Sequence, residues 1–158
     1  MKLDFISDIN KGHEREMSYP QTDRFIVHVL WWHAFVVTCL VVSNWFFKLA
    51  NYYPSPISWR VIQGTEAFWS ILIALGAVLI PAYLLHKCKN HYLWRILITI
   101  SLVTYSYLLV FLSGGSIEMH FHFFILAALL VVYSDWRLGW FLFVLTALHH
   151  GILNYLAP

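Results

Sequence analysis

Charged side chains are scarce in this sequence: 10 basic and 8 acidic residues make up 11% of its 158 positions. An average soluble domain has about 25% charged residues, and a small globule cannot hide a chain that is 60% hydrophobic. The composition therefore excludes a soluble single domain, and it also excludes intrinsic disorder. A net charge of +2 without a basic stripe indicates no nucleic-acid partner. The class that remains is an integral membrane protein in contact with the lipid bilayer.

Motifs of catalysis and of covalent cofactor attachment are missing as well. The sequence has no Gly-x-Ser-x-Gly elbow, phosphate-binding glycine loop, His-Glu-x-x-His or Cys-x-x-Cys-His. Its two cysteines, Cys39 and Cys88, are too few for a disulfide framework. We therefore expect a protein that is not an enzyme.

Five stretches without Asp, Glu, Lys or Arg are the candidate membrane spans: 25–47, 67–86, 96–117, 119–134 and 138–158. About 20 helical residues cross a hydrocarbon core of about 30 Å, so only the fourth stretch is short. We predict an all-α, polytopic bundle with about five transmembrane helices over residues 23–158, preceded by a polar cytoplasmic segment at 1–22. Thr22 and Asp23 are predicted to cap the first helix.

The basic residues predict the orientation of these spans. With a cytoplasmic N-terminus, eight basic residues lie on the inner side, and only Lys48 and Arg60 lie on the outer side. The polar start of the chain carries both signs of charge, unlike a secretory signal. We therefore expect a multi-pass protein with its N-terminus inside.

Nine histidines are left as the main polar groups of the chain. The short turn at 133–137 makes the last two spans a hairpin, which brings four of them into its outer half: His120, His122, His149 and His150. Two acidic residues are predicted to lie on the outer side, at the same depth as these histidines: Glu118 and Glu66. Imidazole is the commonest protein metal ligand, and carboxylates ligate beside it or support it. The cluster predicts a site for a transition-metal ion (Cu, Fe or Zn) or a b-type haem.

Helical geometry limits which of these rings can act together. The rings of His120 and His122 point about 200° apart on a helix, so a fully helical turn cannot direct both to one ion. Of His149 and His150, we expect His150 to point inward. His33, placed in the inner half of the first span, is a further candidate haem ligand beside His122 and His150. For any one of these histidines alone, a hydrogen bond between helices is the more common role.

The run at 114–124, GGSIEMHFHFF, resembles a membrane-embedded input region at the N-termini of bacterial sensor histidine kinases, diguanylate cyclases and chemoreceptors. YSDWR at 133–137 and two adjacent histidines at 149–150 follow at the places expected for that family. The resemblance implies a signal-input role in the bacterial inner membrane. It also implies a signalling output protein or domain as partner, and it leaves a homodimer open. The matching site positions are Glu118, His120, His122 and His149 or His150.

Three functions remain open from the sequence. The first is a sensor module that binds a metal ion or haem and responds to gas, redox state or metal supply. The second is a haem-binding membrane electron-transfer subunit, and the third is a small metal or proton-coupled transporter. The number of histidines favours a bare ion, whereas the aromatic surroundings favour haem.

Overall fold

The computed structural model describes residues 20–47, 59–85, 87 and 91–156, without the side chains of Pro20, His91 and residues 152–156. All regular structure within these ranges is helical, and they contain no strand. The predicted all-α class is therefore confirmed. The predicted polar segment 1–22 falls almost wholly outside the described residues, as does Cys88.

The helices follow the charge-free stretches in order: α1 (Pro20–Phe47), α2 (Gly64–Leu84), α3 (His91–Leu112), α4 (Ile117–His120), α5 (His122–Leu130) with a 3₁₀ turn (Val131–Tyr133), and α6 (Trp136–Leu156). Within the described part of the chain, α1, α2 and α3 are long and apolar enough to cross a membrane. Their most apolar windows have mean hydropathies of 2.1, 2.1 and 1.9. The fourth stretch forms a shorter apolar helical segment, as its length predicted. The last helix has 21 residues.

Helix α1 begins earlier than the predicted cap at Thr22 and Asp23. The described part of the helix already includes Pro20, three residues before Asp23. Asp23 consequently lies inside the first turn, where its negative charge favours the positive end of the helix dipole. The predicted cap was therefore placed too late along the chain.

Helix α3 is the centre of the bundle. Two-thirds (67%) of its apolar window is buried, compared with 33% for α1 and 28% for α2. It packs against α1, α2, α6 and the segment 117–133. Ile98, Leu102 and Tyr105 are fully buried on it. Polar side chains on α3 are therefore placed where several helices can reach them.

Two tight turns set the direction of the last two helical segments. Gly114 and Gly115 adopt φ angles of 65° and 86°, in the left-handed region that glycine enters without a steric penalty, and reverse the chain after α3. Ser134 (φ 50°) reverses it again before α6, where the Asp135 carboxylate accepts a hydrogen bond of 3.0 Å from the Arg137 amide. Residues 117–133 and α6 therefore run antiparallel, as predicted for the hairpin.

Candidate histidine site

A pair of histidines from distant parts of the chain meets inside the bundle. The Nε2 atoms of His33 on α1 and His122 at the start of α5 are 3.1 Å apart, although the residues are separated by 89 positions. Both rings are partly buried, and their planes are inclined by 61°. We call these two residues the histidine pair.

The second nitrogen of each ring is held in place. Nδ1 of His33 lies 2.7 Å from the Val29 carbonyl oxygen, and Nδ1 of His122 lies 2.6 Å from the Ser106 hydroxyl. A carbonyl only accepts, so His33 donates from Nδ1 and its neutral ring accepts at Nε2. His122 then donates from Nε2 and accepts at Nδ1 from the Ser106 hydroxyl. One chain of hydrogen bonds thus links α5 to both α1 and α3.

The surroundings of the pair restrict its motion. The ring of Tyr105 lies 5.5 Å from the ring of His33, and its hydroxyl donates a 2.8 Å hydrogen bond to the carbonyl of Ala74. Both Tyr105 and Ser106 are fully buried. Since Ala74 lies at the middle of α2 and His33 at the middle of α1, the pair sits halfway along these helices.

The other predicted histidines form a separate group nearer the end of the hairpin. His120 stacks on His150, with ring centres 4.9 Å apart and planes 19° apart, while its Nδ1 lies 2.9 Å from the Ser116 carbonyl. His149 stacks on Tyr107 at 4.1 Å and 11°. The expectation that His150 rather than His149 points inward is wrong, because His149 is half-buried and His150 is exposed. The Nε2 of His149 is buried and has no hydrogen-bond partner among the described residues.

The two predicted acidic ligands have other contacts. Glu66 pairs with Arg60 at 2.9 Å, and its second oxygen accepts a 2.9 Å hydrogen bond from the Gln63 amide. Glu118 is exposed and accepts a hydrogen bond from the Ser116 hydroxyl. Their carboxylates therefore stabilise local turns and the start of α2.

The predicted set is thus divided into parts. His122 contacts His33, whereas His120 contacts His150. The two rings are separated because residues two positions apart on a helix project to different sides, as the sequence indicated. In the residues that the structure describes, no group of three or more His, Cys, Asp or Glu side chains is arranged to hold a metal ion. The pair itself offers two imidazole nitrogens that approach each other directly.

Ser106 and Tyr105 were not identified from the sequence. A serine and a tyrosine within an apolar helix are ordinary residues, and only the packing of α3 against α1 and α5 gives them their roles. One signal was available: Ser106 lies in a charge-free stretch, where a polar group needs a partner from a neighbouring helix.

Fold and site together define a helical protein with helices of membrane-spanning length and a hydrogen-bonded histidine pair at its centre. Comparison with protein-family models, with curated proteins and with solved structures finds no match for this chain.

Proposed function

We propose that this chain is a membrane-embedded signal-input module whose sensing element is the histidine pair, which takes up a transition-metal ion (Cu, Fe or Zn). The observation that carries the proposal is the 3.1 Å approach of the His33 and His122 Nε2 atoms. The resemblance of residues 114–124 to bacterial input regions supports the sensory role. A signalling output protein or domain in the membrane would then be the partner.

The geometry of the pair fits a shared ion. Two imidazole nitrogens at about 2.0–2.1 Å from a tetrahedral ion are about 3.3–3.4 Å apart, close to the separation seen here. Ligating histidines commonly hold their other ring nitrogen against a carbonyl or another polar group, as Val29 and Ser106 do for this pair. To ligate as a neutral ring, His122 would change tautomer: its proton would move from Nε2 to Nδ1, which would then donate to the Ser106 oxygen, and Nε2 would be free for the ion.

A haem fits the pair less well. Two imidazoles on opposite sides of one iron would place their nitrogens about 4 Å apart, taking a metal–nitrogen distance of about 2.0 Å. The porphyrin would also have to stand between rings that are in hydrogen-bonding contact. Two histidines leave the remaining positions of a small ion open to an external ligand, which suits a sensor of gas, redox state or metal supply.

Binding of an ion at the histidine pair would change how the helices pack. The pair and Ser106 connect α1, α3 and α5, so their contacts set how these helices lie against one another. A signal requires two packings with different affinity for the ion, and packed helices shift between discrete arrangements.

The uptake of metal by the purified full chain tests this proposal. We expect about one Zn²⁺, Cu²⁺ or Fe²⁺ ion per chain by titration and elemental analysis, without a Soret band. The absence of stoichiometric uptake of all three ions would refute the metal proposal. A Soret band that persists at one haem per chain would favour the haem alternative instead.

We further propose five membrane spans with a cytoplasmic N-terminus, because the basic residues lie mainly on one side. In a Cys39→Ser, Cys88→Ser background, we expect Val61→Cys, at an exposed position before α2, to react with an impermeant maleimide in intact cells. Lys87→Cys should react only after the membrane is opened. The measurement is the extent of labelling before and after permeabilisation, and equal labelling of both positions in intact cells would contradict this topology.

Ser106→Ala is expected to weaken ion binding about 10- to 100-fold, as is usual when a residue that supports a metal ligand is lost. The reason is that the His122 ring loses the hydroxyl that orients it. Thr104→Ala is the matched control, because that hydroxyl bonds the Ile100 carbonyl of its own helix at 2.9 Å rather than a histidine. Titration of both variants checks the difference, and equal affinities would show that Ser106 has no supporting role.

A further inference from the structure

The three elements that hold the histidine pair also meet at a second buried polar cluster. It consists of Asp23 on α1, Arg95 on α3 and Tyr133 at the end of the 3₁₀ turn, which are 3%, 7% and 3% exposed. The guanidinium carbon of Arg95 lies 4.9 Å from the centre of the Tyr133 ring. The Asp23 carboxyl and the Arg95 guanidinium both lie within electrostatic range of the Tyr133 hydroxyl. We call these residues the charged cluster.

The spacing of the two clusters is the same on two of the elements. Ser106 follows Arg95 by 11 residues on α3, and Tyr133 follows His122 by 11 residues. Eleven helical residues make about three turns and span about 17 Å, so Arg95 and Ser106 share one face of α3. Each of these elements therefore carries one residue of the charged cluster and one residue at the histidine pair, where Ser106 bonds His122, and α1 contributes Asp23 and His33.

We propose that the charged cluster is the output end of the sensing unit, so that a change at the histidine pair is transmitted along α5 to Tyr133. This inference rests on the proposed function. Buried ionisable groups in membrane helices are costly and usually have a function. Their contacts are directional, so a displacement of Tyr133 breaks contacts with Arg95 and Asp23 rather than stretching them. Since Asp23 lies in the first turn of α1, the change reaches the beginning of the first span.

Hydrogen exchange of the full-length wild-type chain gives the first test, with Zn²⁺ as the probe, or Cu²⁺ where the titration shows tighter binding. We expect the ion to change exchange of the backbone amides at 131–137 about fivefold or more. The His33→Ala variant should show no change when the same ion is added.

The second test measures the same coupling from the opposite end. We expect Tyr133→Phe to alter the Kd for the ion about 2- to 30-fold, although Tyr133 is about 17 Å from the histidine pair along the helix. Tyr92→Phe is the control, because Tyr92 lies near the same end of α3 but is exposed. That variant should bind the ion as the wild type does.

The outcomes separate the two proposals. If the wild type binds the ion while exchange at 131–137 stays constant, the transmission proposal is wrong and the sensing site stands. The same holds if Tyr133→Phe folds and binds with the wild-type Kd. If the wild type takes up none of the three ions, both proposals fail. Should Tyr133→Phe fail to fold, the exchange measurement on the wild type decides.

Discussion

Replacing His122 with alanine is expected to abolish stoichiometric ion uptake, with a loss of affinity greater than about 100-fold. The loss should exceed the 10- to 100-fold typical for residues that only support a ligand, because half of the ligand pair is removed. His33→Ala should have an effect of the same size, since its Nε2 atom faces that of His122 at 3.1 Å. Isothermal titration and elemental analysis of the purified chains measure both losses.

His28→Ala is the matched control for these variants. His28 lies on the same helix as His33, and its Nδ1 has the same 2.7 Å contact with the carbonyl four residues earlier. Its ring is exposed rather than directed at another histidine. His28→Ala should therefore bind the ion normally, and His150→Ala should do so as well. If all four variants lose the ion equally, the assignment of the site to the histidine pair is wrong.

Replacing Arg95 with methionine is expected to lower the free energy of unfolding by about 3–5 kcal/mol, the range seen when one partner of a buried charge pair is removed. Arg95 and Asp23 are both buried around Tyr133, so the substitution removes one of the two opposite charges of this cluster. Reversible unfolding of the purified chain in mixed micelles measures the effect.

A second substitution distinguishes this explanation from a simple loss of packing. Asp23→Asn in the Arg95→Met background removes the remaining charge and should restore a large part of the lost stability. Arg137→Met provides an exposed comparison and should change stability by no more than about 0.5 kcal/mol. Additive losses in the double variant would show that the two charges do not interact.

Much of the fold could be predicted because charge and length act locally. The stretches without charge coincide with helices, since a helix satisfies its own backbone hydrogen bonds and apolar side chains cover it. The short turn at 133–137 was also predicted, and Ser134 reverses the chain there. The predicted cap was wrong because Thr22 and Asp23 suit both a cap and a helical turn, and both lie inside α1.

The candidate site was less predictable. The hairpin correctly placed His120, His149 and His150 together, because two short turns leave little freedom. His33 was named as a candidate ligand beside His122 and His150, but its direct contact with His122, 89 residues away on another helix, was not predicted. Which ring turns inward at His149 and His150 depended on the rotation of α6, and the amphipathic pattern of that helix is too weak to set it.

The sequence by itself determined that this protein is helical, that its helices are apolar, and their order and approximate places along the chain. These properties depend on neighbouring residues and on the length of each hydrophobic stretch, both of which are present in the sequence. Only the tertiary structure decided that His33 faces His122, which Ser106 contacts from α3. It also decided that Asp23, Arg95 and Tyr133 lie close together, about three helical turns from the pair. Such contacts depend on how each helix is rotated about its axis and how far it slides past its neighbours. Those two quantities are set by the packing of whole helices around α3.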